Sequence, residues 1–138
     1  MLRLVAALIG AFAIASLSFG AASTATAAPL AARTSDAAGV RVVVTPKTLA
    51  PGATVWEFEV VMDTHIKLLS EDLVRASVLV DEAGHRITPT AWQGDAPGGH
   101  HRKGVLRFSP PAAMPKSVEL QIDGVGGAKT RSFRWDLQ

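Results

Sequence analysis

The chain of 138 residues contains no cysteine and no tyrosine. The absence of cysteine excludes disulfide bonds, thiolate nucleophiles and cysteine-bound zinc, iron–sulfur or haem groups, and it rules out a lipid-modified cysteine at the N-terminus. The fold must therefore be stabilised by packing rather than by cross-links. The chain also lacks a large excess of positive or negative charge, since it has 14 basic and 12 acidic residues. This balance gives no reason to expect a nucleic-acid partner.

Short motifs of common enzymes are missing as well. The chain has no Gly-x-Ser-x-Gly segment, and no glycine-rich phosphate loop stands between a strand-like and a helix-like segment. Its neighbouring acidic residues, such as Glu57 and Glu59, fall on predicted solvent faces or in turns. We therefore predict that the protein is not an enzyme.

A long apolar run occurs only at the N-terminus, where residues 1–27 have the pattern of a secretory signal peptide. Met1-Leu2-Arg3 gives a positive start, residues 4–19 are almost wholly apolar, and Ala25-Thr26-Ala27 is a small-x-small cleavage site. The run of about 16 residues is shorter than the roughly 20 that a spanning helix needs. An uncleaved anchor is the alternative. We predict cleavage after Ala27, export to the periplasm or the medium, and no membrane anchor afterwards.

The remaining chain divides into a flexible lead-in at residues 28–39, rich in alanine, serine and threonine, and one domain at residues 40–138. Seven short segments with β-branched or alternating apolar residues are separated by glycine and proline turns. They cover residues 40–45, 55–62, 73–80, 86–89, 104–108, 117–123 and 130–137. This spacing predicts an all-β fold, namely an immunoglobulin-like antiparallel β-sandwich of about seven strands.

Alternation also predicts which side chains form the core. Trp56 and Phe58 are expected to point inward, as are Phe133 and Trp135 of the last strand, whereas Arg131 is expected to point outward. One helical turn is expected within residues 66–75, capped at its start by Ser70.

Histidines carry the clearest candidate chemistry. His100 and His101 follow Gly98-Gly99 at the entry of a predicted strand, and Asp63 and His65 share the solvent face at the end of another. Imidazole nitrogens and carboxylate oxygens are ligands for Zn²⁺ and Cu²⁺. Because neighbouring strand residues face opposite ways, both histidines can bind one ion only if the glycines break the strand geometry. The predicted metal ligands are Asp63, His65, His100 and His101. Hydrogen bonds from these histidines to loop carbonyls are the alternative interpretation.

Two further interpretations concern the same loop. Arg102 and Lys103 beside the Gly98-Gly99 backbone could form an anion nest, or they could pair with Glu57 and Glu59 across strands. Trp92 is expected either to plug the core or to serve as an exposed recognition residue.

The function predicted from these observations is an exported, non-catalytic module that binds Cu or Zn. The alternative is a protein-interaction or structural domain of the cell envelope without a metal.

Most of the domain resembles small uncharacterised exported bacterial proteins with immunoglobulin-like domains. The resemblance is carried by the segments WEFEVVMDTH at residues 56–65, SVL at 77–79 and WQGDAPGGHHRKGVLRF at 92–108. It implies the fold and export but no activity. A looser likeness, in size, export and strand pattern, links the chain to periplasmic copper-binding β-sandwiches of the CopC type. The chain departs from them in lacking a histidine near its expected new N-terminus, Ala28-Pro29-Leu30.

Overall fold

The computed structural model describes residues 28–138 together with Gly20. The predicted signal peptide at residues 1–27 otherwise lies outside the described residues. No helix in the described part of the chain has the length and hydropathy needed to cross a membrane.

Two antiparallel sheets face each other, so the predicted immunoglobulin-like β-sandwich is confirmed. The strands are β1 (Arg33–Ala37), β2 (Val40–Thr48), β3 (Trp56–Thr64), β4 (Ser77–Asp81), β5 (Arg86–Ile87), β6 (Ala91–Gly94), β7 (His101–Phe108), β8 (Ser117–Ile122) and β9 (Arg131–Asp136). One sheet has the order β1-β2-β3-β7-β6 and the other has the order β5-β4-β8-β9. A single helical turn, α1 (Leu73–Ala76), precedes β4, and a 3₁₀ turn (Val125–Gly127) precedes β9.

The core lies between the sheets and is made by alternate residues of the strands. Trp56, Phe58 and Phe108 come from the first sheet, and Phe133 and Trp135 come from the second. Phe58 packs edge-on against Phe108 and at a tilt against Trp135, with ring centres 5.6 Å apart in both pairs. Among the described residues, every strand and every buried core side chain lies between Arg33 and Asp136, so residues 28–138 contain both sheets and the core between them.

The described residues contain nine strands rather than the predicted seven. One extra strand, β1, lies in the segment predicted to be a flexible lead-in, where it pairs along its whole length with β2. The two-residue turn between them places Ala38 and Gly39 at φ 51° and 75°, the left-handed conformation that tight hairpins require. The other extra strand, β6, lies in the long connection before β7 and pairs with it.

Two local predictions are wrong in detail. Arg131 is buried, because strand alternation places it on the same face as Phe133 and Trp135. The helical turn begins later than predicted: Asp72, not Ser70, caps it by accepting hydrogen bonds from the backbone N–H groups of Val74 and Arg75.

Four connections meet at one end of the sandwich, which we call the loop end. They are the β1–β2 turn (residues 38–39), the β3–α1 connection (65–72), the β6–β7 connection (95–100) and the β8–β9 connection (123–130). Backbone hydrogen bonds tie two of them together: the Leu69 N–H donates to the Gly99 carbonyl at 3.0 Å, and the Gly98 N–H donates to the Leu69 carbonyl at 2.8 Å. All four predicted metal ligands lie at this end.

Candidate functional site at the loop end

Two buried arginines organise the loop end. Arg102 in β7 is 1% exposed and Arg131 in β9 is 4% exposed. Within the described part of the chain, neither guanidinium forms an ion pair with a carboxylate; both donate mainly to backbone carbonyls. An arginine offers five N–H donors in a rigid fork, so one buried side chain can satisfy carbonyls from several loops at once.

Arg102 joins the β3–α1 connection to β7 and to the β6–β7 connection. Its Nη1 donates to the carbonyls of Leu69 at 3.0 Å and Glu71 at 2.8 Å, and its Nη2 donates to the carbonyl of Asp95 at 3.4 Å. The Trp92 ring covers the guanidinium, whose carbon lies 5.4 Å from the ring centre. Trp92 is half-buried and packs against the core, as the plug interpretation predicts.

Arg131 joins the two sheets. Its Nη1 donates to the carbonyls of Ser35 and Val40, both at 3.1 Å, and its Nη2 donates to those of Ala37 at 2.8 Å and Val125 at 3.2 Å. Three of these acceptors belong to the β1–β2 hairpin of the first sheet, whereas Arg131 itself begins the last strand of the second. The hairpin is thereby fixed to the opposite sheet.

Glu71 is the acidic residue whose charge acts on both guanidinium groups. Burial lowers the pKa of Arg102 and of Arg131. The charges of Glu71, Asp95 and Asp72 oppose the shift of Arg102, and those of Asp36 and then Glu71 oppose the shift of Arg131. One Glu71 oxygen accepts the Gly126 N–H at 2.9 Å, while the other is buried and has no hydrogen-bond partner among the described residues. Glu71 therefore compensates two buried cations at a distance and anchors the 3₁₀ turn.

This framework presents two apolar side chains to solvent. Ile66 is 72% exposed and Leu68 is 65% exposed, and no other large hydrophobic side chain in residues 28–138 is exposed. We call this pair the apolar tip. It is held on both sides: the Thr64 hydroxyl accepts the Ile66 N–H and donates to the Gly39 carbonyl, and the Leu69 side chain is fully buried. The tip is therefore exposed but not free to collapse onto the core.

The structure brings together two of the four predicted metal ligands. Asp63 and His101 are direct partners across β3 and β7, and His101 Nδ1 contacts a carboxylate oxygen of Asp63. The other two histidines do not complete a cluster with them: His65 is exposed beyond the end of β3, and His100 contributes its carbonyl to the Thr64 N–H at 2.9 Å. Residues 28–138 contain no group of three or more acidic or histidine side chains suited to one ion.

The Asp63–His101 pair is the end of a charged row across four strands. Strand register aligns Asp36 with Arg41, Arg41 with Asp63 and Asp63 with His101. Arg41 Nε donates to Asp36 at 2.9 Å, and this hydrogen bond, with the charges of Asp36 and Asp63, raises the pKa of Arg41. Neighbouring charges along the row compensate one another. Asp36, Arg41 and Asp63 of this row, together with His65, line an open cleft beside the β1–β2 turn.

The anion-nest interpretation is wrong for Arg102, because its side chain is buried and its Nη atoms already donate to carbonyls. Lys103 instead lies 3.6 Å from Glu59 on the neighbouring strand, as the cross-strand alternative predicts. Its backbone N–H also donates to the Asp95 carboxylate at 2.8 Å.

Sequence reasoning missed both the buried arginines and the apolar tip. The signal for Arg131 was present, since its position has the parity of Phe133 and Trp135. Ile66 and Leu68 gave a weaker signal: they are apolar residues in a segment with no strand period, which the prediction assigned to a helical turn instead.

Comparison with protein-family models, curated proteins and solved structures finds no match for this chain. Its function must therefore be argued from its own residues and their geometry.

Replacing Arg131 with methionine tests the framework. Arg131→Met keeps much of the side-chain volume but leaves buried carbonyls unpaired, at about 1–3 kcal/mol for each one that water cannot reach. We expect the free energy of unfolding to fall by about 3 kcal/mol or more in urea titrations. The matched control is Arg134→Met on the same strand, where the arginine is exposed, and a loss within about 0.5 kcal/mol is expected. Equal losses in the two variants would contradict the role assigned to Arg131.

Proposed function

We propose that the chain is an exported, non-catalytic binding module of the cell envelope that docks on its partner through the apolar tip. The observation that carries this proposal is the exposure of Ile66 and Leu68 on a connection that is otherwise fastened by hydrogen bonds. Export is supported by the signal-peptide pattern of residues 1–27.

Physical arguments favour recognition by the tip. A fully buried leucine or isoleucine side chain gains about 1.5–3 kcal/mol relative to an exposed one, so both side chains lose stability by facing water. A partner that covers them recovers that free energy. Because Arg102 and the Leu69 backbone already fix the connection, little conformational entropy remains to be lost on binding. Loops that a rigid scaffold positions are the usual recognition elements of β-sandwich domains.

A transition metal is a second candidate, favoured by the contact between His101 Nδ1 and the Asp63 carboxylate. An imidazole nitrogen and a carboxylate oxygen already face each other there, on an exposed surface that an ion can reach. Water molecules would complete the coordination.

Removing the apolar side chains tests the main proposal. We expect residues 28–138 to sediment with the envelope fraction of the cells that make the protein. The variant Ile66→Ser/Leu68→Ser should bind that fraction at least about tenfold more weakly, because it lacks the apolar area that docking buries. Ala112→Ser/Ala113→Ser, at exposed alanines of the opposite end, is the matched control and should bind as the wild type does. Unfolding curves confirm that each variant folds. Equal binding by the tip variant and the wild type would refute the proposal.

Metal binding is tested separately by calorimetric titration with Zn²⁺ and Cu²⁺. The second candidate predicts that His101→Ala and Asp63→Asn abolish binding, since each removes one half of the pair. His85→Ala is the control, because His85 contacts Asp81 at 2.8 Å in a similar exposed pair away from the loop end. The absence of any binding heat for the wild type would contradict a metal site at Asp63 and His101. An equal loss of metal binding in His85→Ala would contradict it as well.

A further inference from the structure

Two lysines accompany the apolar tip. Lys67 stands between Ile66 and Leu68, and its Nζ lies over the 3₁₀ turn, 4.0 Å from the position that a Cβ on Gly127 would take. Lys129 follows in the same β8–β9 connection and is exposed. Within residues 28–138, neither lysine forms an ion pair.

Acidic side chains at the same end are all engaged by other groups. Asp36, Asp63 and Asp72 each contact a basic side chain, namely Arg41, His101 and Arg75. Glu71, Asp95 and Asp123 instead accept a hydrogen bond from a backbone N–H or a hydroxyl and keep their negative charge. Among the lysines and arginines exposed at this end of the described residues, Lys67 and Lys129 are the two without an ion pair, and Lys67 stands between the only two large apolar side chains that are exposed.

We propose that the partner surface is an anionic lipid bilayer. Ile66 and Leu68 enter the boundary between headgroups and acyl chains, while Lys67 and Lys129 approach lipid phosphates. This inference rests on the proposed function and names the partner of that same site. The domain would lie on the bilayer surface through its loop end, without spanning it.

The composition of the tip favours lipid over protein as the partner. Energetically dominant residues of protein interfaces are enriched in tryptophan, tyrosine and arginine, and leucine is under-represented among them. The tip has no aromatic residue and no free arginine; it has two aliphatic side chains with a lysine between them. Interfacial membrane segments combine apolar side chains, which enter the headgroup boundary, with basic side chains that anionic lipid attracts, and the tip contains both kinds.

The expected binding is weak, reversible and sensitive to salt. Each lysine close to an anionic surface raises affinity about fivefold, and this gain disappears beyond a Debye length, which is about 8 Å at physiological ionic strength. Two aliphatic side chains provide a small inserted area, so neither contribution is sufficient alone. We therefore expect loss of either pair to abolish most of the binding.

Vesicle sedimentation tests the inference with residues 28–138. One set of vesicles contains phosphatidylcholine with an equal part of phosphatidylglycerol, and the other contains phosphatidylcholine alone. The wild type should bind the mixed vesicles, and higher salt should weaken that binding. Lys67→Gln/Lys129→Gln and Ile66→Ser/Leu68→Ser should each bind at least about fivefold more weakly. The control Lys47→Gln/Lys116→Gln removes the same charge at the opposite end and should bind as the wild type does.

The outcomes separate this inference from the proposed function. If the tip variant loses envelope binding but the wild type ignores mixed vesicles, the lipid inference is overturned and a protein partner of the tip remains. If the wild type binds vesicles of phosphatidylcholine alone as well as it binds the mixed vesicles, the role of anionic lipid is overturned. If the tip variant matches the wild type on both the envelope fraction and the vesicles, both proposals are overturned.

Discussion

Buried guanidinium groups that donate to backbone carbonyls are the interaction on which the loop end depends. A chain without cysteine has no cross-links to hold its connections, and loops normally expose their polar backbone to water. Here Arg102 satisfies carbonyls of two connections, and Arg131 fixes the β1–β2 hairpin to the opposite sheet. Both charges are desolvated, which lowers the pKa of each, and Glu71 compensates for part of that cost.

This arrangement explains why an exposed apolar pair can persist. A mobile connection would bury Ile66 and Leu68 against the nearest apolar surface, since burial of aliphatic side chains is favourable. The carbonyls of Leu69 and Glu71 are instead held by Arg102, and the Ile66 N–H is held by Thr64. The tip therefore remains exposed in a defined position, which is the property that the proposed docking requires.

The sequence predicts the sandwich well but the site poorly, for physical reasons. Alternation is a local signal, so residues such as Trp56 and Phe58 reveal their face without knowledge of the fold. Strand β1 is polar and becomes ordered only by pairing with β2 and by its contacts with Arg131, which lies far along the chain. Whether a histidine pair becomes a cluster depends on how loops from distant segments meet, and no local spacing encodes that.

Native-state hydrogen exchange followed by NMR tests the central claim most directly, because it reports the opening of individual backbone hydrogen bonds. The amide protons of Leu69 and Gly98 join two connections and belong to no strand. If Arg102 holds the loop end, they exchange about as slowly as the amide of Leu106 in β7, and Arg102→Met accelerates them far more than it accelerates Leu106. Rapid exchange of both protons in the wild type, at rates typical of free loops, would contradict the account.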